Sequence, residues 1–300
     1  MWDDFKLQIN NGGVITWFII VNVVIFVLLN MLILGALIAT GNRAGAYGVL
    51  DDVLQWIGLN WDWHVFVKRP WTFITSAFAQ YDFMHLFFNM VLFYWLADII
   101  KGFVGERHIM PIFLYGAFSG GVVFIIIKNL VNVIGPGIEP NIAIGASGGV
   151  LAIVVAAATL VPNLPVRVLF IGDVALKYFA MVLVGLDLLL MHDGNAGGHF
   201  AHLGGALLGF IYIKQLQVGH NWSNPFHNAL AFVTRPFKKT PKGPRVVYKR
   251  EVATNTAAKN KNTAPDQARI DDILDKINQS GYDSLTKDEK AFLFRYSNKD

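Results

Sequence analysis

The hydrophobic positions of this chain fall in long uninterrupted runs, with little short-range alternation. Six runs approach the roughly 20 residues that a bilayer crossing needs. They cover residues 14–40, 83–100, 109–127, 142–161, 175–191 and 200–216. Each is expected to be a transmembrane helix, which predicts an all-α polytopic bundle. Between the first two runs, "GVLDDVLQWIGLNWDWHVFVKRPWTFITSAF" carries four Trp and mixes apolar with polar positions. It is too polar to span and too aromatic for an ordinary linker, so it is expected to lie at headgroup level. Beyond residue 217 the pattern lapses, and 218–265 reads as a flexible basic linker. Ile270, Ile273, Leu274 and Ile277 then recur at helical spacing, Gly281 interrupts, and "TKDE" at 286–289 is a capping box opening a second helix. The expected organisation is thus an N-terminal cytosolic segment (1–13), a six-span domain (14–217), the linker, and a small cytosolic helical hairpin (266–300).

Composition supports the membrane reading. The chain is 54% hydrophobic and only 15% charged, with mean hydropathy +0.45, whereas soluble domains are about a quarter charged. It contains no cysteine, which excludes disulfides, thiolate metal sites and cysteine nucleophiles. The net charge of +4 is modest and its basic excess lies mainly after residue 210. No interleaving of basic and aromatic residues accompanies it, so no nucleic-acid partner is expected. The basic residues instead give orientation. Lys214, Arg235, Lys238, Lys239, Lys242, Arg245, Lys249 and Arg250 follow the sixth run, which puts the C-terminus in the cytoplasm and, through an even number of spans, the N-terminus too. Lys101, Arg107, Arg167 and Lys177 fall on that side as well, and "HDGNAGG", without Lys or Arg, falls outside. Arg43, Lys68 and Arg69 lie outside and run against the rule. The acidic start "MWDDFK", followed by a run longer than a signal-peptide core, resembles neither a signal nor a transit peptide. Together with the resemblance given below, this makes a bacterial plasma membrane the expected location.

Polar side chains within spans are costly and each calls for a reason. His85 and Asn89 open the second run four residues apart, on one helix face. Ser147 sits in "AIGASGGV" at the front of the fourth, and His199 and His202 in "GHFAHLGGALLGF" at the front of the sixth. In the orientation derived above, all three fronts are outer ends, so these groups share one depth. A serine, a histidine and nearby donors are a sufficient set for acyl transfer. His202 would take the serine proton and return it to the leaving amine. His85 and Asn89, with a backbone N–H near Ser147, would hold the oxyanion. No acid is evidently placed behind the histidine, so a Ser-His dyad is expected, and Asp187 is read as a bonding group within the bundle.

Plainer readings compete. Ser147 among glycines suits close helix packing, as do the G-x-x-x-G faces of Gly116 with Gly120 and Gly205 with Gly209. "GASGG" also fits G-x-S-x-G, but the strand-to-helix turn of that motif is not expected here. His199 and His202 are too few ligands for a metalloprotease and no H-E-x-x-H occurs, so no metal or other cofactor is expected. Asp98 and Asp187, the latter in "GLD", match an aspartyl intramembrane protease only partially. A transporter would need an internal repeat or broken half-helices, and neither is clear.

"HLFFN", "GASGG" and "AHLGGALLG" occur in order on the second, fourth and sixth runs. As a set they resemble the rhomboid intramembrane serine proteases over about residues 14–217. That resemblance implies a six-helix rhomboid fold with Ser147 as nucleophile, His202 as base, and His85 and Asn89 as oxyanion donors. It implies cleavage of single-span membrane proteins at or near the membrane surface, and entry past the fifth span and a cap. The Trp-rich loop is similar to the family's membrane-embedded loop, although its usual Trp-Arg pair is not evident and "PWTF" stands in its place. Leu151 stands where many members carry an aromatic against the catalytic histidine. A relative that binds membrane segments without cutting them would normally lack the serine or the histidine, and this chain has both. The tail lies outside the resemblance and offers itself to a cytosolic partner.

Overall fold

A computed structural model describes residues 13–134, 141–168, 172–190, 195–235, 264–280 and 284–297. Most of the N-terminal segment, the linker over 236–263, Gly281 and part of "HDGNAGG" lie outside these described residues. The chain divides into two units, residues 1–239 and 240–300.

The first unit is a helix bundle whose elements, in order, are α1 (Val14–Thr40), α2 (Arg43–Ile57), β1 (Leu59–Asn60), α3 (Trp63–Lys68), α4 (Thr72–Thr75), α5 (Phe83–Val104), α6 (Ile109–Ile134), β2 (Ile142–Ala143), α7 (Ser147–Leu160), the hairpin β3 (Pro165–Val168) with β4 (Gly172–Ala175), α8 (Leu176–Leu189), α9 (Ala196–Gln217) and α10 (Ser223–Thr234). Among the described residues four helices are long and apolar enough to cross a membrane: α1, α5, α6 with the turn before it, and α9. The chain is therefore an integral membrane protein. The expected fourth and fifth spans are helices of 14 residues each. At about 1.5 Å per residue they reach ~21 Å, less than the ~30 Å hydrocarbon core. For α7 the reason lies in its surroundings. Gly148–Val154 and Ala156–Ala158 are all buried, so protein and not lipid covers this helix.

The fourth run also starts later than its apolar pattern suggests. Ile142 and Ala143 pair antiparallel with Asn60 and Leu59, and Gly145 then takes φ +118°, a conformation that costs glycine little. That turn delivers Ser147 as the first residue of α7. A two-residue strand leaves no readable alternation, so the pairing could not be seen in advance. The third run, by contrast, extends past its expected end because Lys128 is buried, with its ammonium 3.2 Å from Asn141 Oδ1.

Small residues bring α6, α7 and α9 together. A Cβ at Gly205 would collide with the Gly148 carbonyl oxygen, and one at Gly209 with that of Ala152. A Cβ at Gly120 would lie 2.5 Å from the Ala201 carbonyl oxygen. The obstacles are backbone, which cannot step aside. Gly205→Ala should thus cost about 1–3 kcal/mol through overpacking. Gly185, in a helix with nothing near its missing Cβ, should accept Ala with a gain of up to ~1 kcal/mol in helix propensity. Thermal unfolding of the two variants in one detergent checks the contrast. Equal shifts would contradict it.

The Trp-rich loop folds into α2, β1, α3 and α4, and Trp56, Trp63 and Trp71 are exposed. Within it the Arg69 guanidinium lies 3.9 Å from the centre of a Trp56 ring. The stretch expected to begin a linker at 218 instead forms α10. Its His227 Nε2 lies 2.9 Å from the Arg107 carbonyl, and Asn224 Oδ1 accepts from Arg107 at 2.7 Å.

The second unit contains α11 (Ala264–Ser280) and α12 (Lys287–Ser297), with Ile270, Ile273 and Leu285 buried. The capping box is present. Thr286 N donates to Glu289 Oε2 at 2.7 Å, and Glu289 N to Thr286 Oγ1 at 3.3 Å. With Lys276 Nζ 3.0 Å away, these donors hold the Glu289 carboxyl down to about 2. A depressed carboxyl stabilises the fold above its ordinary value of 4.5 and loses that effect as pH falls towards 2. Hydrogen-exchange protection of α12 in the full chain should decline over that window, and Glu289→Gln should flatten the decline. An unchanged profile in Glu289→Gln would contradict this.

Candidate active site

Ser147, His202 and Asp187 form one hydrogen-bonded line. Ser147 Oγ is 2.6 Å from His202 Nε2, and His202 Nδ1 is 2.7 Å from Asp187 Oδ1. The same carboxylate oxygen is 2.8 Å from His199 Nδ1. The three elements contribute one part each. The Gly145 turn sets the serine at the start of α7. The Gly205 and Gly209 contacts press α9, carrying His202, against α7. Asp187 comes from the last turn of α8. Sequence reasoning expected no acid behind the histidine, and the structure corrects this: Asp187 holds His202 from the side away from the serine. A shared carboxylate accepts from both Nδ1–H groups, which leaves His202 Nε2 free to accept a proton from Ser147. Leu151 is buried in the core.

The start of α7 is chemically unusual. Ala146 precedes it and supplies no side-chain cap. Its first N–H groups, next to Ser147, therefore have no helical partner, and they carry the partial positive charge of the helix end. A negatively charged oxygen formed at the serine would meet them directly. His85 stands beside the same turn: the position a Cβ would take on Gly145 is 2.9 Å from His85 Cε1, 3.5 Å from His85 Nε2 and 3.6 Å from Ser147 Oγ. The structure thus gathers Ser147, His202 and His85 on one cavity of about 610 Å³.

Asn89 stands apart. The cavity lining includes Gln80, His85, Ser147 and His202 but not Asn89. Asn89 Nδ2 donates to Gln80 Oε1 at 2.6 Å, and Gln80 Nε2 to Asn22 Oδ1 at 2.9 Å. All three amides are buried. The expected oxyanion donor is therefore a group behind Gln80, and its bond orients that residue. Gln80 itself was not singled out, because its side chain precedes the second run and nothing local marks it. Asp187, His199 and His202 also place one ligand atom each within 4.8 Å of one another, the arrangement that could hold a metal ion.

Known proteins match the same part of the chain. Residues 67–217 match the family described as Rhomboid domain, and residues 258–299 match a family of unknown function (DUF6576). RHOMBOID-like protein 12, mitochondrial, from Arabidopsis thaliana is 29% identical over 160 residues, covering 50% of this chain and 48% of that protein. Presenilin-associated rhomboid-like protein A, mitochondrial, from Danio rerio is 30% identical over 148 residues, covering 47% of this chain and 36% of that protein. The human Presenilin-associated rhomboid-like protein, mitochondrial, is 25% identical over 160 residues, with 50% of this chain and 39% of that protein covered. The matches thus span less than half the length of these relatives.

Proposed function

Since this chain belongs to the rhomboid family, we propose that it is an intramembrane serine endopeptidase acting on single-span membrane proteins. The observation that carries the reading is the 2.6 Å contact between Ser147 Oγ and His202 Nε2 at the open start of a buried helix. In the reaction, His202 Nε2 takes the hydroxyl proton as Ser147 Oγ attacks the scissile carbonyl carbon. The oxyanion forms against the free N–H groups of α7 and the His85 ring, with Gln80 nearby. His202, its imidazolium facing Asp187, returns the proton to the leaving amine. Water then enters and gives a proton to His202 as its oxygen attacks the acyl carbon, and His202 passes that proton to Ser147 Oγ as the acyl–serine bond breaks.

The low-dielectric surroundings strengthen each of these contacts. They also explain the charge arrangement, because an imidazolium formed in an apolar bundle needs an adjacent anion. The bundle is read as six helices, with α7 and α8 as the fourth and fifth. Loop charges support cytoplasmic N- and C-termini, which would put the serine end of α7 at the outer face. A bacterial plasma membrane is our reading of the location, while the matched relatives are named as mitochondrial proteins. The second unit, read as cytosolic, offers a surface to a cytosolic partner.

Reconstituting the full chain in liposomes with a panel of single-span reporters tests the activity. Cleavage within or next to the reporter's span, with products mapped by mass spectrometry, is expected. Binding of reporters without any cleavage would overturn the proposal in favour of a binding-only protein.

A further inference from the structure

We propose that Asp187, His199 and His202 form a binding site for a divalent zinc ion that switches the serine off. Serine chemistry has no need of His199: it contacts the same Asp187 oxygen as the catalytic histidine and contributes nothing to the proton path. Its geometry suits another purpose. His199 and His202 lie three residues apart on one face of α9, and their rings stand at 88° with centroids 5.9 Å apart. Both Nδ1 atoms converge on one carboxylate oxygen, at 2.8 and 2.7 Å. The side chains of His199, His202 and Asp187 are only 13%, 21% and 13% exposed. Two imidazole nitrogens and one carboxylate oxygen are a ligand set for zinc, with a fourth position open to water. Calcium and magnesium require more oxygen ligands than this site offers.

Zinc and catalysis exclude each other at His202. A neutral imidazole bound to metal through Nδ1 carries its remaining proton on Nε2. That nitrogen is the one 2.6 Å from Ser147 Oγ. Once it holds a proton it can no longer accept one from the serine. Binding moves the proton from Nδ1 to Nε2 without net release from the neutral ring, so the switch is reversible by removing the ion. The inhibition rests on the serine-protease reading, whereas the binding site stands without it.

Tag-free full-length protein in detergent is the material for the test. Cobalt(II), which reports tetrahedral nitrogen and oxygen coordination by its visible absorption, is titrated first and then displaced by zinc. Isothermal titration gives the zinc affinity. Wild type and Ser147→Ala should each bind one zinc ion, and His199→Gln should bind at least tenfold more weakly. Reporter cleavage by wild type should fall at least tenfold in zinc and return with EDTA. The zinc sensitivity of His199→Gln, measured against its own zinc-free rate, should be at least tenfold lower. Absence of binding by folded wild type, or equal affinity in His199→Gln, would overturn the site. Binding without inhibition of an active enzyme would overturn the switch. A preparation that never cleaves reporters would count against the protease reading, while the cobalt spectrum still decides the site.

Discussion

Ser147→Ala is expected to abolish reporter cleavage, lowering kcat by about 10⁶-fold if this serine works as the nucleophile of a serine protease does. The argument is geometric. Among the described residues, Ser147 Oγ is the hydroxyl in contact with His202 Nε2, and it stands beside unpartnered N–H groups at the start of α7. Removing it leaves no atom to form the acyl intermediate, while the donors remain. The fold should hardly notice. The packing of α7 depends on Gly148, Gly149 and Ala152 against their neighbours, and alanine is at least as good a helix residue as serine. Cleavage rates and melting temperatures of both proteins in the same lipid check this. A rate within tenfold of wild type would show that the nucleophile is elsewhere.

Asp187→Asn should lower kcat by about 10⁴-fold, the cost of the wrong histidine tautomer in a serine triad. The mechanism follows from hydrogen-bond polarity. The carboxylate accepts from Nδ1–H of both His202 and His199, but an amide can turn its N–H₂ towards Nδ1. His202 would then carry its proton on Nε2 and face the serine as a donor. KM should change little, because Asp187 does not line the cavity that holds Ser147. A merely structural role would instead lower the melting temperature and leave the catalytic constant of the folded fraction intact. Measuring kcat and KM separately, together with thermal stability, distinguishes the two. An Asp187→Asn enzyme with full kcat would return the site to a Ser-His pair.

Ser147, His85 and His202, which line one cavity, were legible because polar groups in apolar runs are expensive and the orientation expected from loop charges assigned them a common depth. Asp187 was legible in principle. The orientation derived from Lys and Arg puts the end of the fifth run at the same face as Ser147, and an intramembrane carboxylate needs a partner. What hid it was that its partners lie on another helix, so pairing depends on how α8 meets α9. The Gln80 contact of Asn89 was hidden for a different reason. Helical spacing gives the face of a residue but neither its rotamer nor a competing acceptor, and Gln80 arrives from a turn outside the helix. The short length of α7 was hidden too, since an apolar run does not reveal whether lipid or protein will cover it. The Gly205 and Gly209 contacts were readable, because a small-residue face has few other uses in lipid. The Arg69–Trp56 stack was missed because the partners lie 13 residues apart in chain order, across α2, β1 and α3.

The most direct measurement is labelling of the purified full chain by a fluorophosphonate probe, comparing wild type with Ser147→Ala and His202→Ala. It needs no substrate and reports only whether a serine is activated. Labelling of the wild type at Ser147, located by peptide mass spectrometry and lost in both variants, is the result expected here. Labelling that persists in Ser147→Ala, or a folded and reporter-binding wild type that never labels, would contradict an activated serine at the start of α7.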